Sequence, residues 1–558
     1  MQPSVPTTTD AQATFAATLF DEWFRHGLRE VVICPGSRST PLAVAALRHG
    51  GLRLHVRIDE RSAGFFAIGR ALALRSAVVV IVTSGTAAAE LHAAVVEADL
   101  AEVPLVVLTA DRPPELHGVG APQTIEQRHL YGGAVRRFEE PGVARADVAS
   151  AWRPLASRCW WAAMGIDGEP GPVHVNAAFV EPLLGVASAL PRARDDSGPW
   201  RAATKVPLVS GGVDLRGRRV LAVVGRSVDA AMVEALGELG WAVIGDATVP
   251  ATIPYFDALL RDTKFADVAR PDIVVRLGAL PASKVLAERL REWSAPIIAW
   301  RGAGRLNDPD GLIAFVRPGL PDVTDPQLRV TTTYRAWWTS AAANVARWLA
   351  SRDGADRVPD EPAVARAVVA ASSEHDVALV VGSSMPVRDV EWWATARSAP
   401  TFANRGANGI DGVVSTVLGV GAGGASIGLI GDLTFLHDVS GLVDGLGSAG
   451  GRCVLVVVQN GGGGIFSFLA QARALDDDDF ELLFGTPRPH DVASVARSFG
   501  HHGESVTTMG ALHRAIADGL GRDGLSVIAV RVGDRDDNVA VHAEYVAGVA
   551  EHWGVSEP

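Results

Sequence analysis

Short, continuous runs of apolar residues, most of them rich in valine and isoleucine, recur along nearly the whole chain and are separated by stretches of helical length. A strand that is apolar at every position belongs in a sheet covered on both faces, which is typical of parallel sheets flanked by helices. The pattern therefore predicts an α/β fold. The runs lie at residues 31–34, 78–83, 105–109, 173–176, 220–225, 242–245, 273–277, 297–300, 378–382, 427–430, 453–459 and 527–532.

Two stretches interrupt this alternation. Residues 182–217 are rich in proline, glycine, arginine and aspartate, and residues 351–362 are polar with two prolines. Both compositions are typical of linkers. The chain of 558 residues is therefore predicted to form three α/β domains, at residues 1–190, 200–350 and 360–558.

The charge and cysteine content restrict the partners and the compartment. The net charge is -12 and no long basic run occurs, which argues against nucleic acid or an anionic membrane surface as the main partner. The three cysteines lie far apart, so a disulfide scaffold or a zinc site is not expected. No secretory signal is recognisable, and the apolar runs are too short for membrane insertion, so we expect a cytoplasmic protein.

Two small-residue loops follow predicted strands in the first domain. Residues 34–41 read CPGSRSTP and contain Arg38, whose guanidinium suits a carboxylate or phosphate. Residues 83–87 read TSGTA and open a helix, where backbone N–H groups can meet an anion. Each loop alone fits a tight turn equally well.

The third predicted domain carries a more specific pattern. One strand leads into Gly431-Asp432-Leu433, and another ends in Asn460 followed by four glycines. Consecutive glycines cost conformational entropy on folding, so they indicate backbone that wraps a charged group. Asp432 and Asn460 offer two oxygen ligands, as Mg²⁺ prefers when phosphate and water complete its shell. The P-loop pattern GxxxxGK[ST] is absent from the sequence.

The spacing from Gly431-Asp432 to Asn460 resembles the GDG…N signature of thiamine-diphosphate enzymes. Further motifs follow in the order expected for one family of them, and with these the chain resembles the MenD family, the 2-succinyl-5-enolpyruvyl-6-hydroxy-3-cyclohexene-1-carboxylate synthases, over nearly its whole length. The resemblance implies the three-domain thiamine-diphosphate-enzyme fold, with residues 1–190 binding the pyrimidine, 200–350 central and 360–558 binding the diphosphate. The motifs are CPGSRSTP at 34–41, DER at 59–61, TSGT at 83–86, ADRP at 110–113, ANRG at 403–406, GIDG at 409–412, GDLT at 431–434 and GIF at 464–466.

The resemblance also implies an activity in menaquinone biosynthesis. Such a transferase decarboxylates 2-oxoglutarate and adds the succinyl-semialdehyde carbanion to isochorismate, using thiamine diphosphate and Mg²⁺ or Mn²⁺. By the same resemblance the catalytic residue is Glu60, which shares a proton with the aminopyrimidine, and Ile410 bends the cofactor. The metal ligands are Asp432, Asn460 and the carbonyl of Gly462. The cofactor-binding set is Glu60, Ser384, Ile410, Gly431, Asp432, Leu433, Asn460, Ile465 and Phe466.

Both substrates are carboxylate-rich, and the planar guanidinium of arginine binds carboxylates with two parallel hydrogen bonds. The resemblance places an apolar wall beside a set of polar and cationic substrate residues. The wall is Ile465, Phe466 and Leu469, and the polar and cationic set is Ser37, Arg38, Arg112, Gln123, Lys284, Ser384, Arg388 and Arg405.

In this family the glutamate matching Glu60 meets the metal ligands across a subunit boundary, so we expect a homodimer or a homotetramer. Two residues depart from the general signature. Leu433 replaces its second glycine, a form familiar in this family. Gly461 stands where Asp or Asn is usual, and we expect it to loosen the metal loop or remove a contact to the diphosphate.

Two alternatives stay open. The nearer one is another thiamine-diphosphate-dependent 2-oxoacid decarboxylase or carboligase, acetolactate-synthase-like or benzoylformate-decarboxylase-like. The arginines argue against it, since monocarboxylate substrates need fewer cations. The other is a nucleotide-binding or regulatory module at residues 220–227 (VLAVVGRS), which lacks a full GxGxxG.

Overall fold

A computed structural model of the chain describes residues 7–194, 198–202, 208–210 and 212–556. Within these ranges the strands form three sheets of five or six strands and one sheet of two strands. Every strand pairing is parallel. The α/β fold with parallel sheets that the apolar runs predict is therefore confirmed.

The first sheet has the strand order β2-β1-β3-β4-β6-β5. Its helices α1, α2 and α6 pack against it through a core that includes Phe15, Leu19, Trp23 and Trp160. The strands are β1 (Glu30–Ile33), β2 (Arg53–Val56), β3 (Val78–Val82), β4 (Leu105–Asp111), β5 (Arg137–Glu139) and β6 (Pro172–Ala178). The helices are α1 (Thr8–His26), α2 (Thr40–His49), α3 (Glu60–Leu74), α4 (Thr86–Glu90), α5 (His92–Ala101) and α6 (Trp152–Ala163).

The second sheet has the order β12-β11-β10-β8-β9, and β7 pairs separately with β13. After β8 the chain turns at Gly225, where a Cβ atom would lie 1.9 Å from the carbonyl oxygen of Ala279. Close packing of the chain therefore accounts for this glycine. The strands are β7 (Val209–Ser210), β8 (Val220–Val224), β9 (Ala242–Gly245), β10 (Ile273–Leu277), β11 (Ile297–Trp300), β12 (Ile313–Arg317) and β13 (Leu320–Pro321). The helices are α7 (Ala230–Glu238), α8 (Phe256–Arg261), α9 (Thr263–Val268), α10 (Lys284–Trp293) and α11 (Thr333–Ser351).

The third sheet has the order β15-β14-β16-β17-β19-β18. Three of its inner strands, β16, β17 and β19, are buried at every position except their ends, as the apolar runs within them predict. The strands are β14 (Ala378–Val381), β15 (Thr401–Phe402), β16 (Ala425–Gly431), β17 (Arg452–Gln459), β18 (His502–Val506) and β19 (Gly524–Arg531). The helices are α12 (Glu361–Glu374), α13 (Met385–Trp393), α14 (Val413–Gly421), α15 (Asp432–His437), α16 (Gly441–Asp444), α17 (Gln471–Ala474), α18 (Asp477–Phe480), α19 (Val492–Ser498), α20 (Met509–Leu520) and α21 (Arg535–His552).

The chain divides into two compact units. Unit 1 consists of Met1–Lys205, Asn404–Gly424 and His437–Gly451, and therefore combines the first sheet with α14 and α16. Unit 2 consists of Val206–Ala403, Ala425–Leu436 and Arg452–Pro558, and contains the other sheets. The domain boundaries at 1–190, 200–350 and 360–558 stay a prediction.

Within unit 1, helices α3 and α14 approach each other at backbone distance. A Cβ atom at Gly69 would lie 2.3 Å from the carbonyl oxygen of Thr416, and one at Gly419 would lie 2.2 Å from that of Phe66. Both contacts are too short for any side chain, since the interior is already close-packed. Helix α3 is thereby fixed directly against α14.

No helix in the part of the chain that the structure describes combines the length and the apolar character needed to cross a bilayer.

Candidate active site

Asp432 lies in unit 2, where β16 ends and α15 begins, and its side chain is buried. Its Oδ2 accepts hydrogen bonds from the N–H groups of Gly461 and Gly462, both at 3.1 Å. Its Oδ1 accepts the N–H of Leu433 at 2.7 Å. Burial raises the pKa of this carboxyl, while the three backbone donors act in the opposite direction. One carboxylate therefore connects the ends of two neighbouring strands.

Asn460 follows β17, the neighbour of β16 in the sheet. Its Nδ2 donates a hydrogen bond to Oε1 of Glu361 at 2.6 Å. Its Oδ1 accepts the N–H of Gly462 at 3.3 Å. The amide oxygen is therefore on the side of the glycine loop, beside the carboxylate of Asp432.

The glycine loop has two residues with positive φ, and one of them leaves no room for a side chain. Gly461 has φ +82° and Gly462 has φ +135°, both in the left-handed region. A Cβ atom at Gly462 would lie 2.1 Å from the carbonyl oxygen of Gly485. Arg535 donates to the carbonyl of Gly461 and also pairs with Glu481.

Both backbone groups of Gly461 have partners, since its N–H donates to Asp432 and its carbonyl oxygen accepts from Arg535, and a loosened loop stays a prediction. The left-handed conformation also explains the residue type, since Gly, Asn and Asp adopt it most readily. The loss of a side-chain contact to the diphosphate stays a prediction.

The donors at this site fit a divalent cation bound together with a diphosphate. The described residues contain no group of three or more His, Cys, Asp or Glu side chains able to hold a metal ion. Two side-chain oxygens and a loop carbonyl suit Mg²⁺, which completes its shell with phosphate and water. On the adjacent strand end, after β14, Ser383 presents a buried Oγ without a hydrogen-bond partner among the described residues. A phosphate oxygen would satisfy such a group.

The other predicted residues of unit 2 lie on three elements. Ser384, with φ +74°, precedes α13, and its carbonyl accepts a hydrogen bond from Arg388 at 2.6 Å. Phe466 lies in a short 3₁₀ helix after the glycine loop, with its ring 5.4 Å from that of Phe484. Ile465 is part of the same 3₁₀ helix, and Leu469 follows it, 43% exposed.

Lys284 begins α10, and its side chain is 88% exposed. Its ammonium lies 3.7 Å from the carboxylate of Glu288, one helical turn away. This is an ordinary ion pair on the surface of a helix, and such pairs add little stability. The position therefore leaves Lys284 accessible, and its substrate contact stays a prediction.

Glu60 is the first residue of α3 in unit 1 and is half-buried. Burial raises its pKa, and the neighbouring charges of Asp59 and Glu90 act in the same direction. The carboxylate of Asp59 caps the helix instead and accepts hydrogen bonds from the hydroxyls of Ser62 at 2.7 Å and Ser440 at 2.6 Å. Of the two adjacent acids, Glu60 is the one suited to hold a proton.

Two arginines come together at the carboxyl ends of β1 and β4. Arg38 is buried, with hydrogen bonds to the carbonyl of Phe179 at 3.0 Å and to the carboxylate of Glu181 at 3.2 Å. Arg112 donates to Oγ of Ser84. Burial lowers the pKa of Arg112, and the nearby charge of Arg38 lowers it further. The charges of Asp111 and Glu181 act in the opposite direction, and an anionic ligand would add to their effect.

In the loop after β3, one of the backbone donors is already engaged. The N–H of Gly85 donates to Oε1 of Gln127 at 2.9 Å, so this donor is occupied by the protein itself. Gln127 is buried and also donates to Asn176 at 2.8 Å. Gln123 has φ +53° and lies against Gly85. A Cβ atom at Gly85 would be 3.3 Å from the carbonyl oxygen of Gln123.

Arg405 and Ile410 lie in the segment that joins unit 1 before α14, and both are half-buried. The carboxylate of Glu97 accepts the N–H groups of Gly406 and Ala407, both at 2.7 Å. Gly412, with φ +60°, lies so close to α3 that a Cβ atom would be 1.9 Å from Cγ of Phe65. The turn that carries Ile410 is therefore packed on the helix that carries Glu60.

The predicted residues thus divide between the two units. Sequence reasoning missed Glu361, Arg535 and Gln127, each of which holds a predicted loop from a distant part of the chain. Unit 1 contains Ser37, Arg38, Glu60, Arg112, Gln123, Arg405 and Ile410. Unit 2 contains Lys284, Ser384, Arg388, Gly431, Asp432, Leu433, Asn460, Gly462, Ile465, Phe466 and Leu469.

The chain is similar to known proteins over part or nearly all of its length. Residues 13–130 match the family model described as thiamine pyrophosphate enzyme, N-terminal TPP binding domain. The chain is similar to the 2-succinyl-5-enolpyruvyl-6-hydroxy-3-cyclohexene-1-carboxylate synthase of Myxococcus xanthus, with 37% identity over 97% of this chain and 98% of that protein. The synthase of the same name from Geobacillus thermodenitrificans is 35% identical, over 99% and 100% of the two chains.

Among solved structures, the fold is similar to that of benzoylformate decarboxylase from Polynucleobacter necessarius. The TM-score is 0.68 at 16% identity, and the match covers 93% of this chain and 98% of that one. At this identity the likeness shows the fold alone.

The conformation of Gly461 predicts which substitutions the loop tolerates. Gly461→Asn should keep the affinity for thiamine diphosphate and Mg²⁺, since asparagine adopts positive φ and a Cβ atom here would meet only Arg535, at 3.8 Å. Gly461→Val should lose most of that affinity, because a β-branched residue is strained at φ +82°. Isothermal titration with the cofactor and Mg²⁺ measures the affinity of each variant. Equal affinities of Gly461→Asn and Gly461→Val would contradict the prediction.

Proposed function

The chain belongs to the family of 2-succinyl-5-enolpyruvyl-6-hydroxy-3-cyclohexene-1-carboxylate synthases, and on this premise we propose that it carries out that reaction in menaquinone biosynthesis. The substrates would be 2-oxoglutarate and isochorismate, with loss of CO₂ and transfer of the succinyl-semialdehyde unit to isochorismate. The protein would be a cytoplasmic transferase dependent on thiamine diphosphate and on Mg²⁺ or Mn²⁺.

The loop around Asp432 is assigned to the metal and the diphosphate. Asp432, Asn460 and the carbonyl of Gly462 would hold the cation, and the positive-φ glycines would bring backbone close to the phosphates. Gly431, Leu433 and Ser384 would complete the cofactor's surroundings, and the buried hydroxyl of Ser383 is a further donor available there. Residues 1–190, 200–350 and 360–558 are assigned as the pyrimidine-binding, central and diphosphate-binding domains.

When bound, thiamine diphosphate supplies a carbon nucleophile and an electron sink for decarboxylation. Glu60 would hold a proton at N1′ of the aminopyrimidine, and its raised pKa suits this task near neutral pH. Ile410 would press on the cofactor from a turn that glycine packing fixes against α3. Ile465, Phe466 and Leu469 would exclude water with an apolar wall.

The pairing of Arg38 with Arg112 is the observation that carries the choice of substrates. The like charges of Arg38 and Arg112 act on each other, and both proposed substrates are dicarboxylates, which guanidinium groups bind well. Glu181 pairs with Arg38, and Asp111 lies near Arg112, so a substrate carboxylate would add to counter-charges already present. Ser37 and Gln123 lie on the same loops, and Arg388, Arg405 and Lys284 are assigned as further contacts.

The reaction itself is tested by mixing the protein with 2-oxoglutarate, isochorismate, thiamine diphosphate and Mg²⁺. We expect the absorbance of isochorismate to fall only when all four are present, with release of one CO₂ per isochorismate consumed. Parallel assays replace 2-oxoglutarate by pyruvate or benzoylformate. Consumption of either in place of 2-oxoglutarate would assign the chain to a different reaction.

Glu60→Gln separates the role of the carboxyl in catalysis from its role in stability. The variant should lose turnover by at least about a hundredfold, as expected for a missing proton-transfer group. Burial raises the folded-state pKa of Glu60, so its contribution to stability is present below the unfolded-state pKa and lost as the pH rises through the folded-state pKa. At about pH 7.5 the cofactor-free variant should therefore melt above wild type, and the difference should shrink towards about pH 5.

Differential scanning fluorimetry across this pH range gives the comparison. Glu115→Gln is the matched control, since it removes the same charge from an exposed site. Activity near that of wild type in Glu60→Gln, or a melting difference that does not depend on pH, would remove Glu60 from its proposed role.

We infer further that each active site combines Glu60 of one chain with Asp432 and Asn460 of another, in a homodimer or homotetramer. Glu60→Gln and Asp432→Ala should each be inactive alone. A mixed oligomer, isolated with two affinity tags, would contain sites with both changes and sites with neither, and should recover about half of the wild-type activity. A mixed oligomer that stays inactive would place each site within one chain.

A further inference from the structure

Glu361 begins α12 and is buried, 3% exposed. Neither the motifs nor the proposed mechanism gives it a task. Its Oε1 accepts the hydrogen bond from Nδ2 of Asn460 at 2.6 Å. We propose that Glu361 is a positioning residue that holds the Asn460 amide with its oxygen towards the metal, and thereby sets the affinity for the cation. This inference rests on the proposed function.

An asparagine ligand has an orientation problem that an aspartate does not have. Its amide oxygen can bind a hard cation, while its nitrogen carries two hydrogens and cannot. Rotation of the amide by half a turn would present the wrong end. An acceptor placed at the nitrogen excludes the reversed orientation, because two acceptors would then face each other.

The surroundings leave the amide little other freedom. A Cβ atom at Gly464 would lie 2.6 Å from Nδ2 of Asn460, so the loop backbone closes off that side. On the oxygen side, the N–H of Gly462 lies at 3.3 Å, a longer contact than the one to Glu361. The short hydrogen bond to Glu361 is therefore the stronger constraint on the amide.

Glu361 is itself held from behind by a buried chain of hydrogen bonds. Its carboxyl lies beside that of Asp389. Asp389 binds Nε2 of His542 at 2.7 Å, and Nδ1 of His542 lies 2.9 Å from the carbonyl oxygen of Asn538. Since a carbonyl only accepts, His542 must donate at Nδ1.

The side chain of glutamine has the length of glutamate and carries both an amide oxygen and an NH2 group. In Glu361→Gln the oxygen can accept from Asn460 and the NH2 group can donate to the carboxyl of Asp389. Glu361→Gln should therefore preserve the arrangement, while Glu361→Ala removes the acceptor from Asn460 and leaves its amide free to turn.

The test measures metal binding directly. Mn²⁺ is titrated into each purified, full-length protein with saturating thiamine diphosphate, and free Mn²⁺ is followed by its electron paramagnetic resonance signal. Loss of a partner behind a metal ligand typically costs 10–100-fold in affinity. We expect the Kd for Mn²⁺ to rise about 10–100-fold in Glu361→Ala and to stay within about twofold of wild type in Glu361→Gln.

Glu391→Ala is the matched control. Glu391 is a buried carboxylate on α13, the helix of Asp389, and accepts the N–H groups of Ala247 and Ala282. Its loss should lower the melting temperature and leave the Kd for Mn²⁺ within about twofold. If Glu361→Ala does not fold, Glu361→Asp withdraws the acceptor by one methylene and should weaken Mn²⁺ binding about tenfold.

The inference about Glu361 is overturned if Glu361→Ala binds Mn²⁺ with wild-type affinity. The same holds for Glu361→Asp where it serves as the replacement. Either result would leave the metal assignment and the proposed function intact. An equal loss in Glu361→Gln and Glu361→Ala would assign the effect to charge and would also overturn it. If the wild-type protein shows no Mn²⁺ binding that depends on thiamine diphosphate, the metal assignment fails, and this inference fails with it.

Discussion

Parallel pairing of strands is the constraint on which the rest of this protein depends. Because all strands of a sheet run the same way, every loop that follows a strand emerges at one edge. In the third sheet this brings Asp432, at the end of β16, beside Asn460, at the end of β17. In the first sheet it brings Arg38, after β1, to the same edge as Arg112, after β4. The polar groups meet because of the hydrogen-bonded backbone behind them.

The same constraint explains how far the sequence predicts the fold. All of the apolar runs are strands, and the interior strands were found within a few residues of their bounds. The strands that sequence reasoning missed in the three large sheets all lie at sheet edges: β2, β5, β12, β15 and β18. An edge strand has one neighbour and a partly exposed face, as in the Ile313–Arg317 strand, so it lacks a continuous apolar run.

The candidate site was predictable to a similar depth. Residues in motifs were found, because each motif combines small turn residues with a functional side chain. Their supporting residues were not found, since Glu361 precedes Asn460 by 99 positions and Arg535 follows Gly461 by 74. Nothing in the local sequence marks such a partner, which only the fold brings into contact. Net charge was equally uninformative, because a chain of charge -12 still places Arg38 and Arg112 at the same edge of one sheet.

The crossing of α3 and α14 limits how this part of the protein can change over time. The atoms that exclude a side chain at Gly69 and Gly419 are main-chain oxygens, which no substitution elsewhere can make smaller. The loops around Arg38 and Arg112 have side-chain contacts that a second change can compensate. Sequence changes in those loops can therefore be compensated by others, while a side chain at Gly69 or Gly419 would force α3 away from α14.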